Sequence, residues 1–395
     1  MTVSKEIKIE PYAHADETIE KTAEGILYKV FQTPYRLFFA GVLAGILIGI
    51  GYWLAYATGS SFYPARYLLE NGYLVKKSVI ELLSPSGINM ANAVKYGINN
   101  VTLAKLIIGA VFPIGLIAIL IGGAELWTSN PQLVTYGYAR KKFGLNGLLY
   151  NWLIVYAGNL AGGIFLAFMA TFGSAYLLKH PFVDTVLGFA FHKVEGSPWN
   201  LFWAAIGCNF LVNLAVWLWL KSKNKDIAGQ TIVIWFPIFA FVAIGFEHAI
   251  ANMFAIPAGI FASAAKFQYY GISFSEFFFK NLLYVTFGNL IGAFVFIALL
   301  YLYLGYNKGS EYGEITPSEL LSIFINVAIV AGLILLVVNV IIPGAIAAVV
   351  EKALGLSVGA KLSNPWVALV PGIVVILYDF IVPIVAYKLL KPFEA

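Results

Sequence analysis

Two apolar stretches of the chain each carry a glutamate and, five residues later, an asparagine. They are Gly123–Asn130 (G-A-E-L-W-T-S-N) and Gly245–Asn252 (G-F-E-H-A-I-A-N). A glutamate inside a membrane span costs about 2.5–3.5 kcal/mol on insertion scales, so it is rare without a partner or a polar path. In the second copy, His248 adds a titratable imidazole. The repeat indicates a channel or transporter built from two related halves, with its site where the copies meet.

The composition is that of a polytopic membrane protein. Of the 395 residues, 60% are hydrophobic and 11% are charged, whereas a soluble domain has about 25% charged residues. The net charge of +5 is explained by basic residues that flank the spans, so no nucleic-acid partner is expected. The single cysteine, Cys208, excludes an internal disulfide framework and a cysteine-based metal site. We predict no catalytic residue, no metal and no cofactor. No secretory signal peptide is expected either, because Met1–Pro34 lacks an apolar core.

Apolar runs of about 20 residues predict eight membrane spans. Asn130-Pro131 is expected to break the second helix, and the fifth, which contains Pro257, is expected to be broken as well. Gly41, Gly45 and Gly49 form a small-residue row that allows close packing of the first helix. The predicted spans are Leu37–Ala57, Leu106–Val134, Asn151–Leu178, Leu201–Leu220, Thr231–Ala264, Asn281–Leu304, Leu320–Val349 and Trp366–Tyr387.

Basic residues at the ends of the spans predict the orientation. An even number of spans returns the Lys388/Lys391 tail to the side of the N-terminus, and both termini are predicted to be cytoplasmic in a plasma-membrane protein. Ala23–Phe39 is predicted to be an interfacial amphipathic helix. The chain then divides into an N-terminal segment (1–36), a pore domain (37–304) and a linker with two additional spans (305–395). The loops that fix the orientation carry Arg140, Lys141, Lys142, Lys221, Lys223 and Lys225.

A second internal repeat supports the two-half organisation. The thirteen residues from Asn151 (N-W-L-I-V-Y-A-G-N-L-A-G-G) match those from Asn281 (N-L-L-Y-V-T-F-G-N-L-I-G-A) at seven positions without gaps. Spans two and three therefore resemble spans five and six. Because each half has an odd number of spans, the halves must run in opposite directions, as in inverted-repeat transporters.

These motifs, together with N-x-x-x-N-L-A-V-W from Asn209, resemble the formate/nitrite transporter family. The resemblance covers about Leu37–Leu304. It implies an all-α, aquaporin-like six-helix inverted-repeat protomer, a homopentamer with one pore per subunit, and passage of formate, nitrite or hydrosulfide through the lipid bilayer. The chain departs from the family in long loops at Gly59–Asn100 and Pro181–Pro198 and in its two additional C-terminal spans.

The resemblance also assigns the central residues of the site. It places the family's pore histidine at His248, the threonine that faces it at Thr128, and a lysine of the extracellular vestibule at Lys193. A vestibule lysine raises the local concentration of anions, and a buried histidine can exchange a proton with an anion that reaches it. A structural histidine and a solvated loop lysine are the alternative interpretations.

The remaining assignments surround this centre. Asn209 is the polar residue of the fourth span, and Glu247 and Asn289 would complete the hydrogen-bond network. Glu125 would brace the broken second helix, and bracing is also open for Glu247. The apolar constriction residues would be Phe112, Leu116, Leu126 and Phe241.

We therefore predict a channel or proton-linked transporter for a small monovalent anion, formate first, with nitrite or hydrosulfide as alternatives. A membrane anchor subunit of a redox complex is the rival from another class. A haem-bearing anchor needs paired intramembrane histidines, and His14, His180 and His192 lie outside the spans. An ammonium or water channel would share the apolar gates and His248 but would not need the vestibule lysine.

Overall fold

The computed structural model describes residues 14–62, 67–70, 73–76, 101–179, 181–222, 226–266, 272–356, 362 and 364–392. Within these residues, eight helices are long and apolar enough to cross a membrane. The described part is helical except for an antiparallel hairpin of β1 (Tyr67–Glu70) and β2 (Tyr73–Lys76). Most of the predicted Gly59–Asn100 loop lies outside the described residues, as do His180, Lys223 and Lys225.

Fourteen helices of the described part of the chain, α1 to α14, form the two halves and the additional spans. The first half has α1 (Ala15–Gly25), α2 (Leu27–Val30), α3 (Pro34–Gly59), α4 (Val101–Val111), α5 (Ile114–Gly122), α6 (Asn130–Ala139) and α7 (Leu145–Gly173). The second half has α8 (Phe182–Glu195), α9 (Pro198–Lys221), α10 (Ile227–Ile244), α11 (Ala249–Lys266) and α12 (Phe274–Gly305). The additional spans are α13 (Pro317–Ala353) and α14 (Val370–Leu390).

The glycine row of the first span packs directly on α7. A Cβ added to Gly45 would lie 2.2 Å from the backbone oxygen of Asn159, and one added to Gly41 would lie 2.9 Å from that of Val155. The two backbones therefore approach too closely for any side chain, as expected for small residues between membrane helices. This approach places the Asn159 side chain beside the broken second span.

The second and fifth spans are broken, as predicted, but the breaks lie upstream of the expected positions. Gly123 and Gly245 end α5 and α10 with φ of 83° and 92°, in the left-handed region that favours glycine. Asn130-Pro131 begins α6 instead of interrupting a helix, because proline in the first turn has no intrahelical N–H partner to lose. Pro257 lies inside α11 and does not end it.

The prediction of one amphipathic helix over Ala23–Phe39 is wrong. The chain leaves α1 at Gly25, makes the single turn α2, and starts the first span at Pro34. In α1, Glu20 accepts a 2.6 Å hydrogen bond from Tyr306 Oη and forms an ion pair with Arg140. The N-terminal helix is thus held by polar contacts to the residues that follow α6 and α12.

The Pro181–Pro198 segment is not the long loop expected from the sequence. It forms α8, whose side chains Val183, Val186 and Ala190 are buried. The helix packs on α11, where a Cβ on Gly259 would lie 2.2 Å from the Ala190 side chain. A helix in this position fixes Lys193 instead of leaving it in solvent.

The two additional spans pack against the pore domain. The ring of Tyr387, near the end of α14, lies 6.4 Å from that of Tyr150, near the start of α7, so the two helices are antiparallel. In α13, Glu351 accepts hydrogen bonds from Phe274 N–H at 2.6 Å and from Ser275 Oγ at 2.5 Å. This carboxylate caps the first turn of α12, an arrangement that the positive end of a helix favours.

Candidate functional site

The two broken spans meet at Thr128 and His248. Thr128 Oγ1 lies 2.9 Å from His248 Nε2, and both side chains are buried. Thr128 belongs to a short turn just before α6 (Asn130–Ala139), and His248 immediately precedes α11 (Ala249–Lys266). Two helix N-termini therefore converge on this contact. Their partial positive charge makes the junction favourable for an anion.

The second ring nitrogen of His248 is also bound. Nδ1 accepts a hydrogen bond from the backbone N–H of Ala251 at 3.1 Å. A nitrogen that accepts carries no proton, so in the neutral imidazole the hydrogen lies on Nε2 and is donated to Thr128 Oγ1. His248 therefore caps the first turn of α11 and presents an N–H donor to the junction of the two halves.

Lys193 and Glu247 form a buried ion pair on one side of this contact. Lys193 Nζ lies 2.8 Å from Glu247 Oε1, and Asn252 Nδ2 donates to Glu247 Oε2 at 2.7 Å. Asn252 Nδ2 also donates to Asn281 Oδ1 at 2.8 Å, and Asn281 Nδ2 donates to the backbone oxygen of Lys193 at 2.9 Å. The four residues close a ring, in which Lys193 takes part through both its side chain and its backbone oxygen. Lys193 is therefore a paired, buried residue, not a solvated loop lysine.

The first half contains the same ring. Lys29 Nζ lies 3.0 Å from Glu125 Oε1, and Asn130 Nδ2 donates to Glu125 Oε2 at 3.5 Å. Asn130 Nδ2 donates to Asn151 Oδ1 at 2.7 Å, and Asn151 Nδ2 donates to the backbone oxygen of Lys29 at 3.4 Å. Glu125 thus has partners equivalent to those of Glu247: a lysine and an asparagine at corresponding places. Each glutamate braces its own broken helix through a lysine and an asparagine.

The two ion pairs lie at opposite ends of the first span. Lys29 precedes α3, whereas α8, which carries Lys193, packs at the far end of α3, where the rings of Tyr56 and Phe189 are 5.8 Å apart. Burial by itself would lower the pKa of each lysine, but the adjacent carboxylate, together with a nearby tyrosine, outweighs it. The pKa of Lys29 and that of Lys193 are therefore raised above the ordinary value. Both lysines are therefore charged at neutral pH.

A short sequence repeat, which is not among the predicted repeats, marks the two lysines. K-V-F-Q-T-P from Lys29 and K-V-E-G-S-P from Lys193 align without gaps. In both, a threonine or serine precedes the proline that begins the next span, α3 or α9. The inverted repeat therefore includes the segment before each first span, and α8 is the counterpart of α1 and α2.

Asn289 holds the chain around His248. Its Oδ1 accepts from Ala249 N–H at 2.8 Å, and its Nδ2 donates to the backbone oxygens of Glu247 at 2.9 Å and Ala205 at 2.8 Å. The side chain supplies hydrogen bonds that the broken helix cannot make internally, as buried backbone groups require. Asn289 therefore positions His248 from behind.

Asn159 does the same for the first half. Its Oδ1 accepts from Trp127 N–H at 2.9 Å, and its Nδ2 donates to the backbone oxygens of Glu125 at 2.9 Å and Gly41 at 2.8 Å. Asn159 lies in the second sequence repeat but is not among the predicted site residues. Its exact correspondence with Asn289 was available from that alignment.

Asn209 fixes the backbone of Thr128. Asn209 Nδ2 donates to the Thr128 oxygen at 3.0 Å and to the Asn289 oxygen at 2.7 Å. Asn213, one turn later and not assigned from the sequence, donates to the same Thr128 oxygen at 2.9 Å. The fourth span thus joins the two halves at their contact.

A cavity of about 340 Å³ leads to His248 from the Lys193 side. Phe112 and Phe241 both line it; their rings are 5.6 Å apart and edge-to-face, and the Phe241 ring lies 5.9 Å from the His248 ring. Lys105, which was not predicted, also lines the cavity, with Nζ 3.4 Å from the backbone oxygen of Ile244. The structure thus brings two predicted constriction residues to the histidine.

The other two predicted constriction residues lie elsewhere. Leu116 and Leu126 are buried in the core but do not line this cavity. Leu126 occupies the position in the first motif that His248 occupies in the second. Its place in the pathway stays a prediction.

Fold and site define a polytopic membrane transport protein built as an inverted repeat around two broken helices. The sequence profile of the formate/nitrite transporter family matches residues 16–303. The chain belongs to this family. The two C-terminal spans lie beyond the matched residues.

Individual relatives agree with this assignment. The chain is 42% identical to "Probable formate transporter" of Methanothermobacter thermautotrophicus over 215 residues, which cover 51% of this chain and 75% of the relative. It is 30% identical to "Formate channel FocA" of Haemophilus influenzae over 303 residues, covering 73% and 93% of the two chains. A solved structure, "Pentameric formate channel with formate bound", aligns with a TM-score of 0.51 and 26% identity over 69% of this chain and 97% of that one. The predicted fold class is confirmed.

Proposed function

We propose that the protein is a channel or proton-linked transporter for a small monovalent anion, formate first. The Thr128–His248 contact carries this proposal, because it puts two hydrogen-bonding side chains at the junction of two helix N-termini. An anion that replaces this contact would accept from His248 Nε2–H and from the Thr128 hydroxyl. The convergent helix ends supply positive potential without a free charge.

The aromatic rings set the size and charge of what passes. A bare carboxylate loses its hydration between Phe112 and Phe241, which is very costly for a charged group and far less so for a neutral acid. The resting hydrogen bonds keep His248 neutral, since a proton on Nδ1 would face the Ala251 N–H. Proton exchange therefore requires that this bond opens.

The proton balance is then simple. Nδ1 takes up one proton from the cavity, Nε2–H is transferred to the carboxylate, and neutral formic acid moves past the rings. Loss of the Nδ1 proton and reprotonation of Nε2 then restore the resting imidazole. The bound anion favours this uptake, because its negative charge stabilises the imidazolium beside it. Breaking the capping bond costs about 0.5–1.5 kcal/mol, which an adjacent charge can offset.

The two lysine–glutamate pairs flank the pathway as entry sites on either side. Each pair is neutral as a whole, so an entering anion would compete with Glu247 for Lys193, or with Glu125 for Lys29. Such competition draws the anion to the lysine without leaving an unpaired buried cation in its absence.

The assembly, orientation and location belong to the same proposal. A homopentamer with one pore per subunit is supported by the pentameric neighbour. The tail at Lys388 and Lys391 lies on the same side as the Arg140 loop, because α14 runs antiparallel to α7. The positive-inside rule then puts both termini in the cytoplasm of a plasma-membrane protein.

Uptake into proteoliposomes tests the function. We expect labelled formate to enter faster than into empty liposomes, and an inward proton gradient to accelerate it. His248→Phe is the matched control, because a third ring would close the path. If nitrite or hydrosulfide entered faster than formate, that anion would be the preferred substrate. Equal rates of formate entry into protein-containing and empty liposomes would overturn the proposal.

A further inference from the structure

Asp379 is a fully buried carboxyl group in the last span. Its exposed fraction is 0%, and neither carboxylate oxygen has a hydrogen-bond partner among the described residues. It lies in α14, beyond the residues matched by the family profile. The transport mechanism above makes no use of it.

A second unsatisfied oxygen belongs to α13, the other additional span. Asn339, fully buried in a π-helical turn of α13, donates Nδ2–H to the backbone oxygen of Leu153 at 3.1 Å, but its Oδ1 has no donor in the described part of the chain. Tyr378 Oη donates to the Val338 oxygen at 2.7 Å, so the residues that precede Asp379 and Asn339 in sequence are in direct contact.

Both residues also face α7 at one turn of that helix. Asn339 bonds to Leu153, and Asp379 interacts electrostatically with Tyr156, three residues further along. The titratable groups near enough to feel a charge on Asp379 are Tyr156 of α7 and Tyr378 of its own helix. From the other elements, α13 presents Asn339 and α3 packs on α14 through Phe38, against Phe380.

An ionised carboxylate is excluded at this place by its cost. No ion pair of the described residues includes Asp379, and burial of an unpaired charge in a membrane is prohibitive. Because Asp379 is enclosed within one protomer, neither lipid nor a neighbouring subunit can supply a hydrogen. A proton on the carboxyl would meet this need and provide the donor that Asn339 Oδ1 lacks.

We propose that Asp379 is a proton-binding site of the additional spans, held as the neutral acid with its O–H donated to Asn339 Oδ1. Through this hydrogen bond the proton stabilises the packing of α14 on α13, next to α7. On α7, Tyr156 Oη lies 2.7 Å from Thr286 Oγ1 in the opposite half, and the Tyr156 ring lies 5.1 Å from Trp127, which precedes Thr128. Removal of the proton would put a negative charge next to this contact between the halves.

Infrared difference spectroscopy of the reconstituted full-length protein tests the site. We expect the wild type at neutral pH to show the carbonyl stretching band of a buried carboxylic acid, and Asp379→Asn to lose it. The proposal would be overturned if the wild-type spectrum had no such band, or if Asp379→Asn left the band unchanged.

Thermal unfolding provides a second readout with a matched pair of variants. The amide of Asp379→Asn can donate to Asn339 as the acid does, so its unfolding temperature should stay near that of the wild type. Asp379→Leu leaves the Asn339 oxygen unpaired and should unfold several degrees lower. An equal decrease of the unfolding temperature in both variants would contradict the proton-binding site. So would a wild-type protein that sodium stabilises and choline does not, because this result would indicate a bound metal cation instead.

Discussion

The buried pair of Lys193 and Glu247 offers a double-mutant cycle that separates pairing from anion binding. Lys193→Met leaves Glu247 with only Asn252 as a partner, and the removal of one member of a buried ion pair costs about 3–5 kcal/mol. The double variant Lys193→Met/Glu247→Gln contains no unpaired charge and keeps an oxygen for Asn252. It should recover most of the lost stability. Glu247→Gln alone should be destabilised like Lys193→Met.

Formate uptake, measured on the same variants, need not recover when stability does. Lys193→Met changes the net charge of the pair from zero to −1, so formate uptake should fall, most strongly at low ionic strength, where screening is least. The double variant is neutral again. If Lys193 acts only through the local field, uptake recovers with stability; if it binds the anion, as we propose, stability recovers and uptake does not.

Thermal unfolding in detergent and initial rates of labelled formate uptake measure the two outcomes. The equivalent variants Lys29→Met and Lys29→Met/Glu125→Gln repeat the test at the second entry site, on the other side of the membrane, and the same outcome is expected. A Lys193→Met protein as stable as the wild type would refute the reasoning about the pair. So would a double variant as unstable as the single one.

Two further predictions concern packing. Gly45→Ala should lower the unfolding temperature, because its Cβ would lie 2.2 Å from the Asn159 oxygen and overpacking costs about 1–3 kcal/mol. Gly122→Ala is the control, because a Cβ there would have nothing within 4 Å. Equal stability of the two variants would contradict the close approach. Truncation after Lys308 should leave a protein that transports in liposomes but unfolds at lower temperature, because the Glu351 cap on α12 is lost; a folded truncated protein without uptake would show that the additional spans contribute to the pore.

The sequence was sufficient for the eight spans and for the two halves. Apolar runs near the bilayer thickness define the spans, and glutamates at equivalent places identify the broken helices. The position of each break was harder to predict, because Gly123 and Gly245 end the helices through their backbone conformation. Asn130-Pro131 predicts a break at the proline, but proline is well tolerated in the first turn of a helix.

The polar networks were predicted only in part. Lys29 was assigned to a membrane-surface helix because its partner Glu125 is remote in the sequence, and no local pattern shows such a pairing. Lys193 was placed in a loop because α8 is too short for a span. Asn289 was expected around the site, but its role in holding backbone groups depends on which carbonyls the broken helix leaves free.

Formate flux against pH, in liposomes containing wild type or His248→Asn, tests the central claim most directly. Asparagine keeps an N–H donor for Thr128 but has no titratable group. We predict that an inward proton gradient accelerates flux through the wild type, and that the variant loses this acceleration while it still leaks the anion. Superimposable curves for the two proteins would contradict proton exchange at His248 and leave it as the residue that caps α11.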